Sequence, residues 1–192
     1  MPEKNQAALD FLLTRRSRPA KTLATPVPTH EELRPILTAA ARSPDHGKLE
    51  PWRFLVLERA ALQRLAAEVE RRGPARGDAP ERIDKVYHQF ADAHLVVVVV
   101  MSPKVSDKVP EIEQMLSAGA ACLAMLNAAL ASGWGANWLS SWVCHDREFL
   151  DVALGLGPSE SVAGFIHIGT ETVAPPERPR PDIDAITTWV DG

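Results

Sequence analysis

The most constraining feature of the chain is an uninterrupted run of apolar, mostly β-branched residues near its middle. Residues 94–100 begin with His94 and Leu95 and continue through five consecutive valines. β-Branched side chains favour extended backbone because they pack well on a pleated surface. A run without polar alternation is typical of a strand that is covered on both faces. The sequence therefore predicts a central strand here, with other elements packed above and below it.

A second apolar segment, residues 115–131, has the length of a helix and carries few polar residues on any side. A helix that is apolar all round is expected to be buried on all sides. The segment contains Ser117, Gly119 and Asn127, and it is shorter than the ~20 residues that a membrane span requires. Because a chain of 192 residues offers little material to bury such a helix completely, we expect a homodimer and no membrane partner.

The remaining elements follow from periodicity and from residues that start or stop helices. Thr29 followed by Glu32 predicts a capping box at the start of a helix over residues 30–42. Residues 73–80 are rich in Gly and Pro and predict a mobile loop, and residues 175–181 predict an extended arm. Further helices are expected over residues 5–16, 60–72, 81–93 and 147–154, and strands over 53–57, 136–142 and 162–169.

Helices outnumber strands in this arrangement, and the two kinds of element do not alternate regularly. Such an order favours an α+β fold in which a mixed central β-sheet lies between helices. Apolar residues make up 45% of the chain, enough for a core. Residues 1–192 are expected to form a single domain, with residues 171–192 as an extended C-terminal arm.

Composition and charge exclude several classes of function. The net charge of −4 gives no indication of a nucleic-acid surface, which usually carries a basic patch. The N-terminal residues lack the apolar core and the cleavage site of a secretory signal, so a cytoplasmic protein is expected. Cys122 and Cys144 each lie in an apolar stretch and are interpreted as buried thiols rather than as a disulfide or as metal ligands.

The sequence also lacks the motifs of several common active sites. It contains no GxGxxG turn after a strand, no P-loop and no GxSxG elbow. The six histidines are scattered, and His94 and His167 are interpreted as structural histidines with satisfied hydrogen bonds rather than as metal ligands. Hydrolytic and metal chemistry therefore have little support, and no metal site is predicted.

The first candidate for ligand binding is the tripeptide Arg15-Arg16-Ser17, which ends the first predicted helix. Two guanidinium groups next to a hydroxyl can grip a phosphate, because arginine donates in a bidentate fork and serine adds a short donor. The alternative is a basic helix end that complements the helix dipole. Taken alone, the tripeptide favours this alternative.

Three other segments carry candidate ligand contacts, each with a structural alternative. The loop Arg42-Ser43-Pro44-Asp45-His46 could close over a polar ligand, or it could be an ordinary connection. The segment Trp138-Leu139-Ser140 follows a Gly-rich turn and could line a flat heteroaromatic, although taken alone it favours a core tryptophan. Arg178 and Arg180, in a Pro-rich stretch, are either solvated or reach back to a phosphate.

Taken in order, these segments resemble the nitroreductase superfamily. The matching segments are spread over nearly the whole chain, and their spacing is closest to that of the small YdjA-like NAD(P)H nitroreductases. No single segment is diagnostic, but the ordered set is specific: Arg15-Arg16-Ser17, Ser43-Pro44-Asp45-His46, Pro51-Trp52-Arg53-Phe54, Lys108-Val109-Pro110, Glu113-Gln114, Ser117-Ala118-Gly119, Gly133-Trp134-Gly135 with Trp138, and Gly164-Phe165 with Gly169-Thr170.

The resemblance implies a nitroreductase-like α+β fold with one FMN per subunit and a dimer whose flavin sites lie at the subunit interface. It further implies ping-pong transfer of a hydride from NADH or NADPH through flavin N5 to a nitroaromatic, quinone or enone. The chemistry then belongs to the flavin, so no side chain is assigned a catalytic role. Two alternatives stay open: an FMN-binding sensor or carrier without NAD(P)H turnover, and a flavin oxidase or dehydrogenase of the same superfamily.

The resemblance also assigns residues to the FMN, carried over by position. They are the phosphate contacts Arg15, Arg16 and Ser17, with Arg180 as an addition, the partner-subunit contacts Arg42 and His46, and the ring or ribityl contacts Trp138, Leu139 and Ser140.

A nicotinamide-nucleotide contact is carried over to the segment Ala128, Ala129, Leu130, Ala131, Ser132 and Gly133. The chain departs from the family pattern at two positions. Leu139 stands where relatives often have Arg, and Glu50 stands where they often have Gln. These departures bear on the flavin potential and the substrate more than on flavin binding.

Overall fold

The computed structural model describes residues 3–191 and centres on a five-stranded sheet flanked by helices. Residues 1, 2 and 192, which belong to the predicted domain, lie outside the described residues. The strands are β1 (Leu23–Ala24), β2 (Trp52–Glu58), β3 (Leu95–Met101), β4 (Gly135–Leu139) and β5 (Ser161–Glu171).

The helices form most of the remaining structure. They are α1 (Gln6–Thr14), α2 (His30–Ala40), α3 (Arg59–Ala75), α4 (Pro80–Ala91), α5 (Glu111–Ala131), α6 (Arg147–Leu154) and α7 (Ile183–Ile186), with 3₁₀ turns at Ala20–Thr22, His46–Lys48 and Trp142–Cys144.

The valine-rich segment forms strand β3, which lies between β2 and β5. Each of its seven residues is at most 3% exposed. The prediction of a central strand buried on both faces is confirmed, with a shift of one residue along the chain. Strand β5 also pairs with β4 and, at its C-terminal end, with β1.

Two helices have the ends that local signals predict. The capping box of α2 is present: the N–H of Glu32 donates to Thr29 Oγ1 at 3.2 Å, and the N–H of Thr29 donates to the Glu32 carboxylate at 2.8 Å. Helix α6 has the predicted bounds and ends at Gly155, whose φ of +61° is the left-handed conformation that glycine tolerates.

The strand pairings within residues 3–191 are all antiparallel, so the expectation of a mixed sheet is wrong. The helical connections explain this. The helix pair α3 and α4 returns the chain to the end of the sheet that it left, so β3 runs opposite to β2. The single helix α5 makes β4 parallel in direction to β3, but β5 lies between these two strands and is antiparallel to both.

The two faces of the sheet carry separate cores. The face under α3, α4 and α6 is called the closed face, and its centre contains Phe90, Phe149 and Phe165, each 0% exposed. The face under α2 and α5 is called the open face, and its centre includes Ile36 and Met125, which are 1% and 0% exposed.

Helix α5 is longer than expected. It begins at Glu111, four residues before the predicted start, and by length and composition alone it could cross a membrane. It packs instead against the sheet and α2, with 44% of its most apolar window buried. In the single chain the burial is partial, because Ile112, Met115 and Leu116 are at least 50% exposed. Burial on all sides, which was expected to need a second subunit, stays a prediction.

The Gly- and Pro-rich segment 73–80 is not the predicted mobile loop. Helix α3 continues through Gly73 and Pro74 to Ala75, and α4 already begins at Pro80. Glycine is needed at position 73 because a Cβ there would lie 2.6 Å from Cγ1 of Ile83 on α4. Close packing of the two helices therefore overrides the local tendency of these residues to break a helix.

Candidate functional site

The tripeptide Arg15-Arg16-Ser17 follows directly after α1 in an extended conformation. Helix α1 ends at Thr14, and Arg15 has φ −54° and ψ 146°. All three residues of the tripeptide are half-buried. The Nε atoms of Arg15 and Arg16 are buried and have no hydrogen-bond partner within residues 3–191. Because an unpaired buried N–H is unfavourable, two such atoms close together indicate a place for an external acceptor.

The C-terminal arm brings a third guanidinium group to these two. Arg16 Nη2 donates to the carbonyl oxygen of Pro176 at 3.4 Å, which holds the arm beside the tripeptide. Burial lowers the pKa of Arg15, and the neighbouring charges of Arg180 and Arg16 lower it further. Arg180 is paired with Glu177 at 2.7 Å. In a chain of net charge −4, this local excess of positive charge suits an anion such as a phosphate.

From the tripeptide the chain runs along β4 to the wall of a cavity. Arg18 fixes the path, because its N–H donates to the carbonyl oxygen of Ala136 at 2.8 Å and its guanidinium contacts Glu171 at 3.1 Å. Ala20 lines the cavity. It follows Arg15 by five positions, which limits the distance between their Cα atoms to about 18 Å. The anion-binding end and the cavity are therefore close enough to hold two parts of one ligand.

The cavity has a volume of about 530 Å³ and lies on the closed face, between α4 and the strands β4 and β5. This volume falls in the range of about 300–1,000 Å³ that is usual for small-molecule sites. Leu139 and Ser140, two of the predicted ring contacts, line it. Lys21, Lys85 and Asp92 also line it, and because they are exposed they form a charged rim.

Trp138, the third predicted ring contact, lies on the other face of the sheet. It pairs with Ile166 of the open-face core, whereas Leu139 pairs with Phe165 of the closed-face core. This follows from the alternation of side chains along a strand. The Trp138 ring lies against Gly164, and its Nε1–H donates to the carbonyl oxygen of Ala163 at 3.3 Å.

Arg42 and His46 lie at the opposite end of the sheet from the cavity. Their loop packs on the start of α5, where His46 Nδ1 is 2.7 Å from Glu113 and Ser117 Oγ donates to the carbonyl oxygen of Pro44 at 2.6 Å. This is the end where β3 finishes, whereas the cavity lies where β3 begins. The seven residues of β3 span about 20 Å, so a single chain does not bring these two side chains to the cavity.

The backbone after His46 is held in an uncommon conformation. Lys48 and Glu50 have φ of +55° and +49°, values that side-chain-bearing residues rarely adopt. The Asp45 carboxylate holds this loop by accepting hydrogen bonds from the N–H groups of Leu49 at 3.2 Å and Glu50 at 2.7 Å. Such local strain is often found at ligand sites.

The predicted nicotinamide segment, residues 128–133, forms the last turn of α5 and the turn that follows it. Ala129 is fully buried, and Ala131, Ser132 and Gly133 are exposed. None of the six residues lines the cavity in the part of the chain that the structure describes.

His167 differs from its interpretation as a satisfied structural histidine. It is 2% exposed, and within residues 3–191 its Nε2 has no hydrogen-bond partner. Burial lowers the pKa of His167 to about 4, so the imidazole is neutral at pH 7. His167 lines the cavity. Sequence patterning offered no signal for this, because the residue sits in an otherwise apolar strand.

The two cysteines are buried free thiols, as predicted. Burial raises the pKa of Cys122 to about 12 and that of Cys144 to about 11, so neither forms a thiolate at neutral pH. Across residues 3–191, no three His, Cys, Asp or Glu residues are arranged to hold a metal ion.

Comparison with known proteins shows the family of the chain. Residues 12–170 match the sequence family described as the Nitroreductase family. An Escherichia coli K12 protein named "Putative NAD(P)H nitroreductase YdjA" is 38% identical over 163 residues, which cover 85% of this chain and 87% of that protein.

Solved structures show the same fold. A nitroreductase-like family protein from Bacillus cereus superposes with a TM-score of 0.80 at 21% identity, covering 100% of both chains. A nitroreductase with bound FMN from Bacteroides fragilis superposes with a TM-score of 0.74 at 20% identity, covering 98% of this chain and 100% of that one. With its nitroreductase-like α+β fold and its sequence match over most of its length, this chain belongs to the nitroreductase family of oxidoreductases.

Proposed function

We propose that this protein is an FMN-dependent NAD(P)H oxidoreductase that delivers a hydride to a small nitroaromatic, quinone or enone acceptor. Family membership supports the proposal, and one observation carries it. The buried Nε atoms of Arg15 and Arg16 have no partner within residues 3–191, and they lie beside Arg180 and a short stretch of chain from a cavity of about 530 Å³.

The described residues fit an FMN. The tripeptide Arg15-Arg16-Ser17, with Arg180, offers charge-assisted donors for a phosphate, and Leu139 and Ser140 border a space for the ring. When bound, FMN supplies the N5 atom that accepts a hydride from NADH or NADPH and passes it on. The chain's own residues bind and orient this group and exclude water, and no side chain has to carry a proton in the hydride step.

The proposal places two of the expected ligand contacts outside the cavity. Trp138 would stiffen β4 behind the ring rather than line the same cavity, since it packs on Gly164 of the open face. The exposed residues 131–133 stay a predicted nicotinamide contact, and within one chain they lie outside the cavity lining.

A second copy of the chain would complete the site. Arg42 and His46 lie about 20 Å from the cavity in the same chain, along the length of β3, so they could meet the same flavin only from a partner. The exposed apolar residues Leu12, Leu13 and Leu116 support association, because such surface is unfavourable in water. We therefore propose a homodimer with flavin sites at the interface.

The absorbance spectrum of the purified protein tests the function. After incubation with FMN and removal of excess, the protein should retain flavin absorbance. Anaerobic addition of NADH or NADPH should then bleach this absorbance, and a quinone or nitroaromatic should restore it. A flavin that stays oxidised with both nucleotides would support a sensor or carrier instead. A protein that binds no FMN would overturn the proposal.

The proposed phosphate contacts of Arg15 and Ser17 have a separate test. Arg15→Ala should weaken FMN binding by about 1.5–3 kcal/mol, the range for a lost charge-assisted hydrogen bond, and Ser17→Ala by about 1 kcal/mol. Isothermal titration with FMN measures both. The matched control is Arg34→Ala, an exposed arginine on α2. Equal affinities for Arg15→Ala and the control would contradict the assignment.

A further inference from the structure

One buried hydroxyl joins three elements at the end of the sheet where β3 finishes. Ser117 lies on α5 and is 8% exposed. Its Oγ accepts a hydrogen bond from Trp52 Nε1 at 3.0 Å and donates to the carbonyl oxygen of Pro44 at 2.6 Å. The indole N–H can only donate and the carbonyl can only accept, so the direction of both hydrogen bonds is fixed. Ser117 therefore ties the loop of residues 42–50 to α5 and to the start of β2.

The tryptophan end of this chain of hydrogen bonds is rigid. Trp52 is the first residue of β2, and its ring stacks on Phe54 with the ring centroids 5.9 Å apart. Both rings pack against the open-face core. Because side chains packed on a core are held in one rotamer, the indole N–H fixes the position of the Ser117 hydroxyl.

The loop end is held by two further contacts. The Asp45 carboxylate accepts hydrogen bonds from two backbone N–H groups later in the loop, at 3.2 and 2.7 Å. His46 Nδ1 lies 2.7 Å from Glu113, which is also on α5. The positive φ of Lys48 is a conformation that persists only where the surroundings over-determine it. The loop is therefore built to one shape.

The side chains that this loop presents are polar and exposed. Pro44, whose carbonyl oxygen Ser117 binds, lies midway between Arg42 and His46, and both of these are exposed. Exposed charged side chains add little to the stability of their own chain. A fixed backbone beneath them favours binding instead, because groups that are already ordered lose less conformational entropy on contact. Leu116, next to Ser117, is 66% exposed and lies on the surface proposed to meet a second copy.

We propose that Ser117 is a positioning residue that sets Arg42 and His46 for contact with the flavin of the partner subunit. This rests on the proposed function and on its homodimer. Ser117 itself does not touch the flavin. It acts through the carbonyl group of Pro44, and Trp52 holds its hydroxyl in place.

The competing explanation is that Ser117 only stabilises the fold, and the two roles predict different couplings. A substitution that merely loosens the chain weakens FMN binding by the same factor whichever other contact has been removed. A substitution that misplaces Arg42 and His46 has no further effect once these two side chains are absent. The effect of Ser117→Ala in different backgrounds therefore separates the two roles.

FMN titration of a set of variants, followed by quenching of flavin fluorescence, tests the proposal. Ser117→Ala should raise the dissociation constant of FMN about 5- to 10-fold, and Ser117→Thr, which keeps the hydroxyl, should retain most of the affinity. In the background Arg42→Ala with His46→Ala, Ser117→Ala should have no further effect. In the background Arg15→Ala, which removes a phosphate contact instead, Ser117→Ala should keep its full effect.

Matched controls separate this effect from loss of structure. Ser159→Ala makes the same change at an exposed position outside α5 and the loop, and it should bind FMN like the wild type. Thermal unfolding identifies variants that fail to fold. If Ser117→Ala is one of them, Trp52→Phe, which removes the indole N–H and keeps an aromatic ring, replaces it in the same backgrounds.

The outcomes distinguish this inference from the proposed function. A wild type that binds no FMN would refute the function. A wild type that binds FMN as a monomer in light scattering would leave FMN binding standing and overturn this inference. Full FMN affinity of Ser117→Ala, or an equal loss in all three backgrounds, would also overturn it. So would a Ser117→Ala variant that loses FMN because its dimer dissociates.

Discussion

The closed and open faces share one sheet, yet they are covered in different ways. On the closed face Phe90 packs on Phe165 and Phe149 with ring centroids 5.2 and 6.3 Å apart, and all three are fully buried. On α5, which covers the open face, Met115 and Leu116 are 50% and 66% exposed. The helices over the closed face therefore enclose its aromatic core within one chain, whereas α5, which covers the open face, keeps an apolar outer surface that a second copy would cover.

A network of ion pairs also distinguishes the closed face from the open face. Asp146 caps α6 on the closed face and is 7% exposed. Its carboxylate receives Arg72 Nε at 2.9 Å, Arg76 Nη1 at 2.6 Å and the N–H of Phe149 at 2.9 Å. Arg76 also lies over the ring of Trp142, 4.6 Å from its centroid. This network joins α3 to α6, so folding of the closed face is expected to be independent of association.

The largest effect is expected at the centre of the closed face. Phe149→Ala should lower the free energy of unfolding by about 3–5 kcal/mol, because it removes a buried ring and leaves a cavity. Chemical denaturation at two protein concentrations measures this, and the loss should be the same at both. A loss below 1 kcal/mol would mean that the closed face is not the main source of single-chain stability.

The Asp146 network should give the next largest effect. Asp146→Asn should cost about 2–4 kcal/mol at pH 7, because it removes the buried charge that Arg72 and Arg76 share and leaves each with one outer carboxylate, Glu148 and Asp78 respectively. Arg72 is the main cause that holds the pKa of Asp146 well below its ordinary value, with Phe149 N–H and Arg76 contributing.

This lowered pKa fixes the direction of the pH dependence. The stabilisation by Asp146 is present above the ordinary aspartate pKa of about 3.9 and is lost as the pH falls below it. The difference between wild type and Asp146→Asn should therefore shrink from pH 7 to pH 3. Asp151→Asn, which changes an exposed partner of Arg147, is the control. A difference that grows in acid would contradict the assignment.

On the open face the expected effect is on association. Leu116→Glu should weaken the proposed dimer by about 1.5–3 kcal/mol per copy, the value of burying one leucine side chain. Light scattering coupled to size exclusion should show a shift toward monomer, with little change in single-chain stability. Val152→Glu makes the same change at a 62% exposed position on α6 and should leave the dimer intact. If Leu116→Glu and Val152→Glu shift the protein toward monomer to the same extent, Leu116 has no specific place in the interface.

Sequence reasoning succeeded where neighbours along the chain decide the structure. The valine run, the Thr29 and Glu32 capping box and the bounds of α6 depend on local patterns, and all three are present. It failed at Gly73 and Pro74, where packing of α3 on Ile83 overrides two residues that usually break helices.

In the candidate site, too, local features could be predicted from the sequence and long-range features could not. The tripeptide Arg15-Arg16-Ser17 was visible because its residue types are adjacent in sequence. The place of His167 in the cavity wall was not, because that wall comes from α4, the end of β4 and β5, which meet only in the folded chain. The mixed sheet was wrong for a related reason: the position of β5 between β3 and β4 is a long-range property that no local pattern reveals.

The two helix caps give the smallest and sharpest comparison between the faces. Thr29 caps α2 on the open face at an exposed position, whereas Asp146 caps α6 in a buried one. Thr29→Ala should cost about 1 kcal/mol, the usual value of a cap in contact with water, because solvent replaces the lost hydrogen bonds. Thr29→Ser keeps the hydroxyl and should retain most of the stability in thermal unfolding. A loss for Thr29→Ala as large as that for Asp146→Asn would show that the open face is as tightly built as the closed one, and the contrast between the two faces would no longer hold.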